Sequence, residues 1–186
     1  MRIKPHNIKL RSNWLRKPFS ASACRSWLAE EGSLTARLKS GYVDFHVKTI
    51  SQKDAKPFID EAAVLRCKHS ATVSVRDVLL IGKQQPLVYA HSILPHSSLR
   101  GAWAKLGKLG NKPLGGILFS DPRVKRTPLS YKKLSKHHAL YRKAVAHLPQ
   151  APTYLWARRS TFSLNSAKIL VTEVFLPTLS DKQGSD

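Results

Sequence analysis

The first half of the chain contains apolar residues that alternate with polar ones, a pattern typical of β-strands with one buried face. In one segment Val43, Phe45 and Val47 occupy every second position. Two runs rich in β-branched residues follow within residues 70–95, separated by a polar stretch at 83–85. Two such runs with a short polar connection predict a β-hairpin.

The second half ends in a similar pair of runs, at residues 154–164 and 168–177, with Asn165-Ser166-Ala167 between them. They predict a second hairpin. Residues 51–63 are mostly polar and predict a loop with one helical turn. Residues 111–119 contain a proline followed by two glycines, which predicts a tight turn or an interrupted helix.

Helical spacing is found between the strand segments. Residues 26–41 predict two short helices, with Ser26 capping the first and Ser33 capping the second. Leu34 and Leu38 are four residues apart and share one face of the second helix. Two further helices are predicted at 97–109 and 137–148.

Strands joined by short turns, with helices between them, predict an α+β fold: an antiparallel sheet covered by helices on one side. A length of 186 residues is typical of a single domain. We predict a basic N-terminal arm at 1–20, loosely packed, a folded domain at 21–178, and a polar tail at 179–186.

The charge is the unusual feature of the composition. Lys and Arg number 32 against 11 Asp and Glu, which gives a net charge of +21. Such a charge favours a nucleic acid, an anionic membrane surface or an anionic substrate as partner, or else reflects a bias in surface residues. No apolar run is long enough for a membrane span or a secretory signal, and two isolated cysteines favour a reducing cytoplasm.

Glu173 is the only carboxylate between residues 122 and 180, and it lies in an apolar strand. A buried carboxylate without a partner is costly, so Glu173 must be paired, protonated or at a cavity wall. It either forms a structural ion pair with Arg158 or Arg159 across the hairpin, or serves catalysis or ligand binding.

Arg76 interrupts a second apolar strand, and Asp77 points to the opposite face. Its guanidinium either pairs with a protein carboxylate or waits for the carboxylate of a ligand. The turn at 113–116 leaves backbone N–H groups free for an anion, although a plain turn explains it equally well. The eight histidines lack an acid or cysteine at ligand spacing, so we predict no metal site.

Taken in order, five segments resemble the bacterial chorismate lyases. Among them, KPLGxxLF and the final WxRRSxF…TExFLP pattern are the most specific. The segments are WLAEEGSLTARL (27–38), SVRDVLLIG (74–82), LVYAHSILP (87–95), LGNKPLGGILF (109–119) and LWARRSTFSLNSAKILVTEVFLP (155–177).

The resemblance implies a single antiparallel sheet whose helices cover an internal ligand pocket. It implies a cytoplasmic lyase without metal or organic cofactor that converts chorismate to 4-hydroxybenzoate and pyruvate, the first committed step of ubiquinone biosynthesis. It assigns Arg76 to the ring carboxylate and Glu173 to the ring hydroxyl. Backbone groups of Leu34 and Leu114 would lie beside the ring.

Two positions depart from the family pattern. Leu34 stands where Met is common, which a backbone contact tolerates. His91 stands where Arg is common, and it either weakens substrate binding or leaves that role to Arg100 or an N-terminal Lys. Arg158 or Arg159 would face the enolpyruvyl carboxylate or hold Glu173 in place.

We expect Glu173 to hydrogen-bond the ring hydroxyl and to protonate the departing ether oxygen if its apolar surroundings raise its pKa. We expect a monomer, no binding to nucleic acid, and a weak attraction to anionic membrane surfaces. The alternative function is a non-catalytic domain of the same fold that senses a small molecule. The segment before the domain is short for the DNA-binding helices that accompany such sensors.

Overall fold

The structure is a computed structural model that describes residues 14–18, 24–104, 106 and 110–180. Within them, seven strands form one antiparallel sheet: β1 (His46–Ala55), β2 (Val73–Gly82), β3 (Gln85–Pro95), β4 (Lys125–Arg126), β5 (Ser130–Leu134), β6 (Leu155–Leu164) and β7 (Ala167–Phe175). Their order is β1-β2-β3-β7-β6-β4, and β5 pairs with the first half of β6, on the same edge as β4. The helices are α1 (Arg25–Leu28), α2 (Leu34–Gly41), α3 (Ile59–Leu65), α4 (His96–Leu99), α5 (Gly115–Leu118) and α6 (Ala139–Val145).

Both predicted hairpins are confirmed. Lys83 and Gln84 connect β2 to β3 with φ of 49° and 57°, the geometry of a turn that matches the right-handed twist of the strands. The Asp44 carboxylate accepts hydrogen bonds from the backbone N–H groups of both turn residues, at 2.7 and 2.8 Å. Asn165, with φ 54°, begins the turn between β6 and β7.

The edges of the sheet differ from the prediction. Strand β1 starts at His46, so Val43 lies in a turn and is fully exposed, whereas Val47 is buried as expected. The strand then continues to Ala55 through residues predicted as a loop. Main-chain pairing with β2 does not depend on side-chain polarity, so this polar edge strand carries no apolar signal.

Helix α2 fills the range predicted for it, whereas α6 is shorter than the predicted 137–148. The Ser33 hydroxyl accepts a hydrogen bond from the backbone N–H of Ala36 at 3.2 Å, which confirms it as the cap of α2. Leu34 and Leu38 are both buried, as their spacing predicted. Helix α1 begins at Arg25, so Ser26 does not cap it.

Helices cover both faces of the sheet, which corrects the one-sided prediction. We call the face that carries Arg76 and Glu173 the front face; α1, α2, α4 and α5 pack on it. The back face carries Asp77 and His91, and α3 and α6 pack there. None of the described helices is long and apolar enough to cross a membrane.

The described part of the basic arm is attached to the sheet, contrary to the loose packing predicted for it. Leu15 forms an isolated antiparallel bridge with Tyr131, with hydrogen bonds of 2.7 and 2.8 Å. The Trp14 indole donates a hydrogen bond to Asp60 at 3.0 Å. The predicted domain boundaries stay predictions, since most of the arm and most of the polar tail lie outside the described residues.

Candidate active site

A cavity lies between the front face and the segments that cover it. The floor comes from alternate residues of the central strands, and the cover from the start of α2 and the turn before α5. The polar and charged side chains at its wall are Ser33, Thr35, Arg76, Ser92, Arg126, Ser160 and Glu173.

Arg76 is only 5% exposed and has no carboxylate partner among the described residues. Its Nη2 donates hydrogen bonds to the backbone carbonyls of Gly110 (2.8 Å) and Lys112 (3.1 Å). Its Nε is buried and has no hydrogen-bond partner there. Burial lowers the pKa of Arg76. Of the two alternatives left by the sequence, the geometry favours a cation oriented for the carboxylate of a ligand.

Glu173 lies at the cavity wall and is paired across the β-hairpin with Arg158. Arg158 Nε donates to Glu173 Oε2 at 2.6 Å. Arg158 itself is fully buried, does not line the cavity, and donates from Nη1 to the carbonyls of Trp27, Leu28 and Glu30. The carboxylate is therefore held in position by a buried cation, while its own side chain remains 16% exposed.

Leu34 and Leu114 both line the cavity, from the start of α2 and from the turn before α5. These two segments approach closely. A Cβ built on Gly115 would lie 2.9 Å from the Ser33 hydroxyl, so only glycine fits this position without a shift. The cover of the cavity therefore joins the two segments that the sequence had singled out.

Arg126 is a cavity residue that the sequence reasoning missed. Its Nε donates to the Ser160 hydroxyl at 2.8 Å, and its Nη1 donates to the carbonyl of Glu31. The guanidinium carbon lies 5.4 and 5.1 Å from the ring centroids of Phe119 and Phe162. Burial lowers the pKa of Arg126. It lies in a polar stretch without periodicity, so no signal in the sequence distinguished it from other surface cations.

His91 lies on the back face and does not line the cavity. Its Nδ1 contacts Asp77 at 2.5 Å, and its Nε2 lies 3.2 Å from Glu61, too poorly aligned for a hydrogen bond. Burial lowers the pKa of His91, but the contacts with these two carboxylates outweigh burial and raise it to about 8. Burial raises the pKa of Asp77, but the contacts with His91 and Lys143 hold it well below its usual range.

Arg159 also lies on the back face, so it does not face the cavity. It pairs with Asp60 at 2.7 Å and stacks its guanidinium 4.1 Å from the Trp14 ring centroid. Arg100 does not line the cavity either. Across the described part of the chain, no three His, Cys, Asp or Glu side chains are grouped so as to hold a metal ion.

The fold and the cavity define a single-domain α+β protein with a covered cavity on the front face of its sheet. Solved structures with this fold include the effector domain of PhnF from Mycobacterium smegmatis, at a TM-score of 0.57 and 16% identity, covering 79% of this chain and 90% of that one. Another is the ligand-binding domain of a putative GntR-family regulator from Bordetella bronchiseptica. Its TM-score is 0.54 and its sequence identity 15%, and the match covers 77% of this chain and 92% of that one. At these identities the likeness shows the fold alone.

The chain belongs to the chorismate lyase family, whose model matches residues 10–185. A probable chorismate pyruvate-lyase of Thiobacillus denitrificans is 44% identical over 91% of this chain and 91% of its own length. Similar relatives, also named probable chorismate pyruvate-lyase, are 44% identical in Methylobacillus flagellatus (91% and 96% covered) and 42% in Aromatoleum aromaticum (96% and 97%). The resemblance seen in the sequence is thereby confirmed.

Proposed function

We propose that this protein is a chorismate pyruvate-lyase that forms 4-hydroxybenzoate and pyruvate without a metal or organic cofactor. One observation carries the proposal: Arg76 and Glu173 face the same cavity, and Arg76 has no carboxylate partner among the described residues. A ring with a carboxylate at one end and a hydroxyl at the other would match the Arg76 cation at its carboxylate and the Glu173 acceptor at its hydroxyl.

The reaction needs little chemistry from the protein. Chorismate loses the hydrogen on its hydroxyl-bearing carbon as a proton, the neighbouring carbon–oxygen bond breaks, and the ring becomes aromatic. The departing enolpyruvate takes up a proton and tautomerises to pyruvate, so atoms and charge balance. Because aromatisation supplies the driving force, holding the reactive conformer is the main task of the site.

Arg76 would anchor the ring carboxylate, and backbone groups of Leu34 and Leu114 would lie beside the ring. Each charge-assisted hydrogen bond between Arg76 and the ring carboxylate would contribute about 1.5–3 kcal/mol. Glu173 would accept a hydrogen bond from the ring hydroxyl. Glu173 Oε2 already accepts a hydrogen bond from Arg158 Nε, and this geometry supports the acceptor role over the donation of a proton to the ether oxygen.

The test is an incubation of the purified full chain with chorismate in the presence of EDTA, following both products. We expect equal amounts of 4-hydroxybenzoate and pyruvate, over many turnovers per protein molecule. Absence of product in a folded preparation contradicts the proposal. Loss of activity with EDTA, restored by a divalent cation, contradicts only its cofactor-free part.

The second candidate function is a sensor without catalysis, and the likeness to effector domains of regulators favours it. It predicts that 4-hydroxybenzoate or chorismate binds and that chorismate is recovered unchanged. The product assay therefore separates the two functions.

The predictions on partners and location follow from charge and composition rather than from the site. We propose a cytoplasmic monomer that binds no nucleic acid and is weakly attracted to anionic membranes by its net charge of +21. Sedimentation velocity tests whether the protein is a monomer in solution. Co-sedimentation with liposomes that does not depend on anionic lipid contradicts the membrane attraction.

A further inference from the structure

Two guanidinium groups of the described residues line the cavity. They lie on the same face of the sheet but come from strands on either side of β7. Arg76 belongs to β2, Arg126 to β4, and Glu173 to β7. In the sheet order, β7 is two strands from β2 and two strands from β4. With about 4.8 Å between neighbouring strands, roughly 19 Å across the sheet separates β2 from β4, and β7 is midway between them in the strand order.

Arg126 is held in place while part of its guanidinium stays available. Its Nε and Nη1 are engaged by Ser160 and by the carbonyl of Glu31, both uncharged groups. No hydrogen bond from Nη2 and no ion pair is found for it within the described residues. The rings of Phe119 and Phe162 pack near the guanidinium and keep it at the cavity wall. Arg126 is partly buried, and an anionic ligand in the cavity would supply a counter-ion for it.

Chorismate carries a second carboxylate, on its enolpyruvyl group. When the ring carboxylate lies at Arg76 and the ring hydroxyl at Glu173, the ether oxygen is on the carbon next to the hydroxyl. The enolpyruvyl group therefore starts near the Glu173 end of the ring, and Arg126 is a second cavity cation, on the far side of β7 from Arg76. Arg158 and Arg159 do not serve there, because Arg158 is buried behind Glu173 and Arg159 lies on the back face.

We infer that Arg126 binds the enolpyruvyl carboxylate, the charged group that chorismate carries and 4-hydroxybenzoate lacks. This inference rests on the proposed function.

The experiment compares Arg126→Gln with wild type and with Arg123→Gln, using kcat/KM for chorismate and the Kd of 4-hydroxybenzoate. Arg123 is the matched control, because it lies three residues from Arg126 and its side chain is 75% exposed. Among the described residues it pairs only with Asp121. We expect Arg126→Gln to lower kcat/KM for chorismate by about tenfold or more, mainly through KM, and to leave the Kd of 4-hydroxybenzoate within about twofold. Arg123→Gln should change neither quantity.

Two results overturn the inference: no loss of kcat/KM in Arg126→Gln, or an equal loss of affinity for chorismate and 4-hydroxybenzoate. If Arg126→Gln does not fold, Arg126→Lys replaces it, since it keeps the charge but not the planar fork; the same selective loss for chorismate, of several-fold, is expected. If wild type forms no product, the proposed function has failed. Calorimetric binding of chorismate and 4-hydroxybenzoate to wild type and Arg126→Gln then decides the inference by the same selectivity.

Discussion

Arg158 donates a 2.6 Å hydrogen bond to Glu173, so a fully buried cation fixes the one acidic side chain that the described residues place at the cavity wall. The pair also joins the sheet to its cover, because Arg158 bonds the carbonyls of Trp27, Leu28 and Glu30 around α1. Removal of Arg158 would leave three carbonyls and a carboxylate without their shared donor. The position of Glu173 therefore depends on the packing of α1 against β6.

Arg158→Met should destabilise the protein strongly. Loss of one partner of a buried ion pair costs about 3–5 kcal/mol, because the remaining charge is left uncompensated. Urea unfolding measures the change in the free energy of unfolding. The exposed pair formed by Arg123 supplies the comparison, since Arg123→Met should cost at most about 1 kcal/mol. Equal effects of the two substitutions would contradict the structural role of Arg158.

Glu173→Gln separates an acceptor from a proton donor. The amide keeps the shape and one oxygen acceptor, so we expect kcat to stay within about tenfold of wild type. A general acid would lose about 100-fold or more, because the amide has no carboxylic proton to give. Steady-state kinetics decides between them, with a thermal melt to show that the variant is folded. A loss of kcat above about 100-fold in a folded variant contradicts the acceptor role.

The contact of His91 with Asp77 predicts a pH dependence of stability. The pKa of His91 is raised from 6.5 to about 8, so its charged form stabilises the folded state. This contribution is complete below pH 6.5 and is lost as pH rises through about 8; at its maximum it is about 2 kcal/mol. Urea unfolding between pH 6 and pH 9, for wild type and His91→Phe, measures it.

The difference between wild type and His91→Phe isolates this residue. Burial lowers the pKa of His138, which makes stability rise with pH, but that effect is common to both proteins. Phenylalanine can keep the stacking on Phe58 that the imidazole makes at 5.9 Å. We expect stability to fall with rising pH more steeply in wild type than in the variant. Parallel curves would show that His91 does not change its charge in this range.

Much of the fold followed from periodicity, and the limits of that prediction have physical causes. The faces of Arg76 and Asp77 followed from strand alternation. The sequence could not decide whether Arg158 or Arg159 lies opposite Glu173, because a shift of one residue in the turn at Asn165 exchanges the two. The two-residue turn in the structure sets that register.

Arg126 could not be found from the sequence for a different reason. It lies on a strand of two residues in a polar, basic stretch, and short edge strands of this kind have no apolar alternation. Its approach to the cavity depends on the pairing of β4 with Phe162 of β6, a contact between distant parts of the chain. Only the tertiary structure reveals that this cation faces the site.

The proposed activity depends above all on Arg76, which would anchor the ring carboxylate of chorismate. The most direct measurement is the rate of joint formation of 4-hydroxybenzoate and pyruvate from chorismate by wild type and by Arg76→Gln, side by side. We predict equimolar products over many turnovers for wild type, and a kcat/KM lowered by about 10-fold or more in Arg76→Gln. Absence of product with wild type would contradict the lyase function. A kcat/KM of Arg76→Gln within about threefold of wild type would contradict the anchoring role of Arg76.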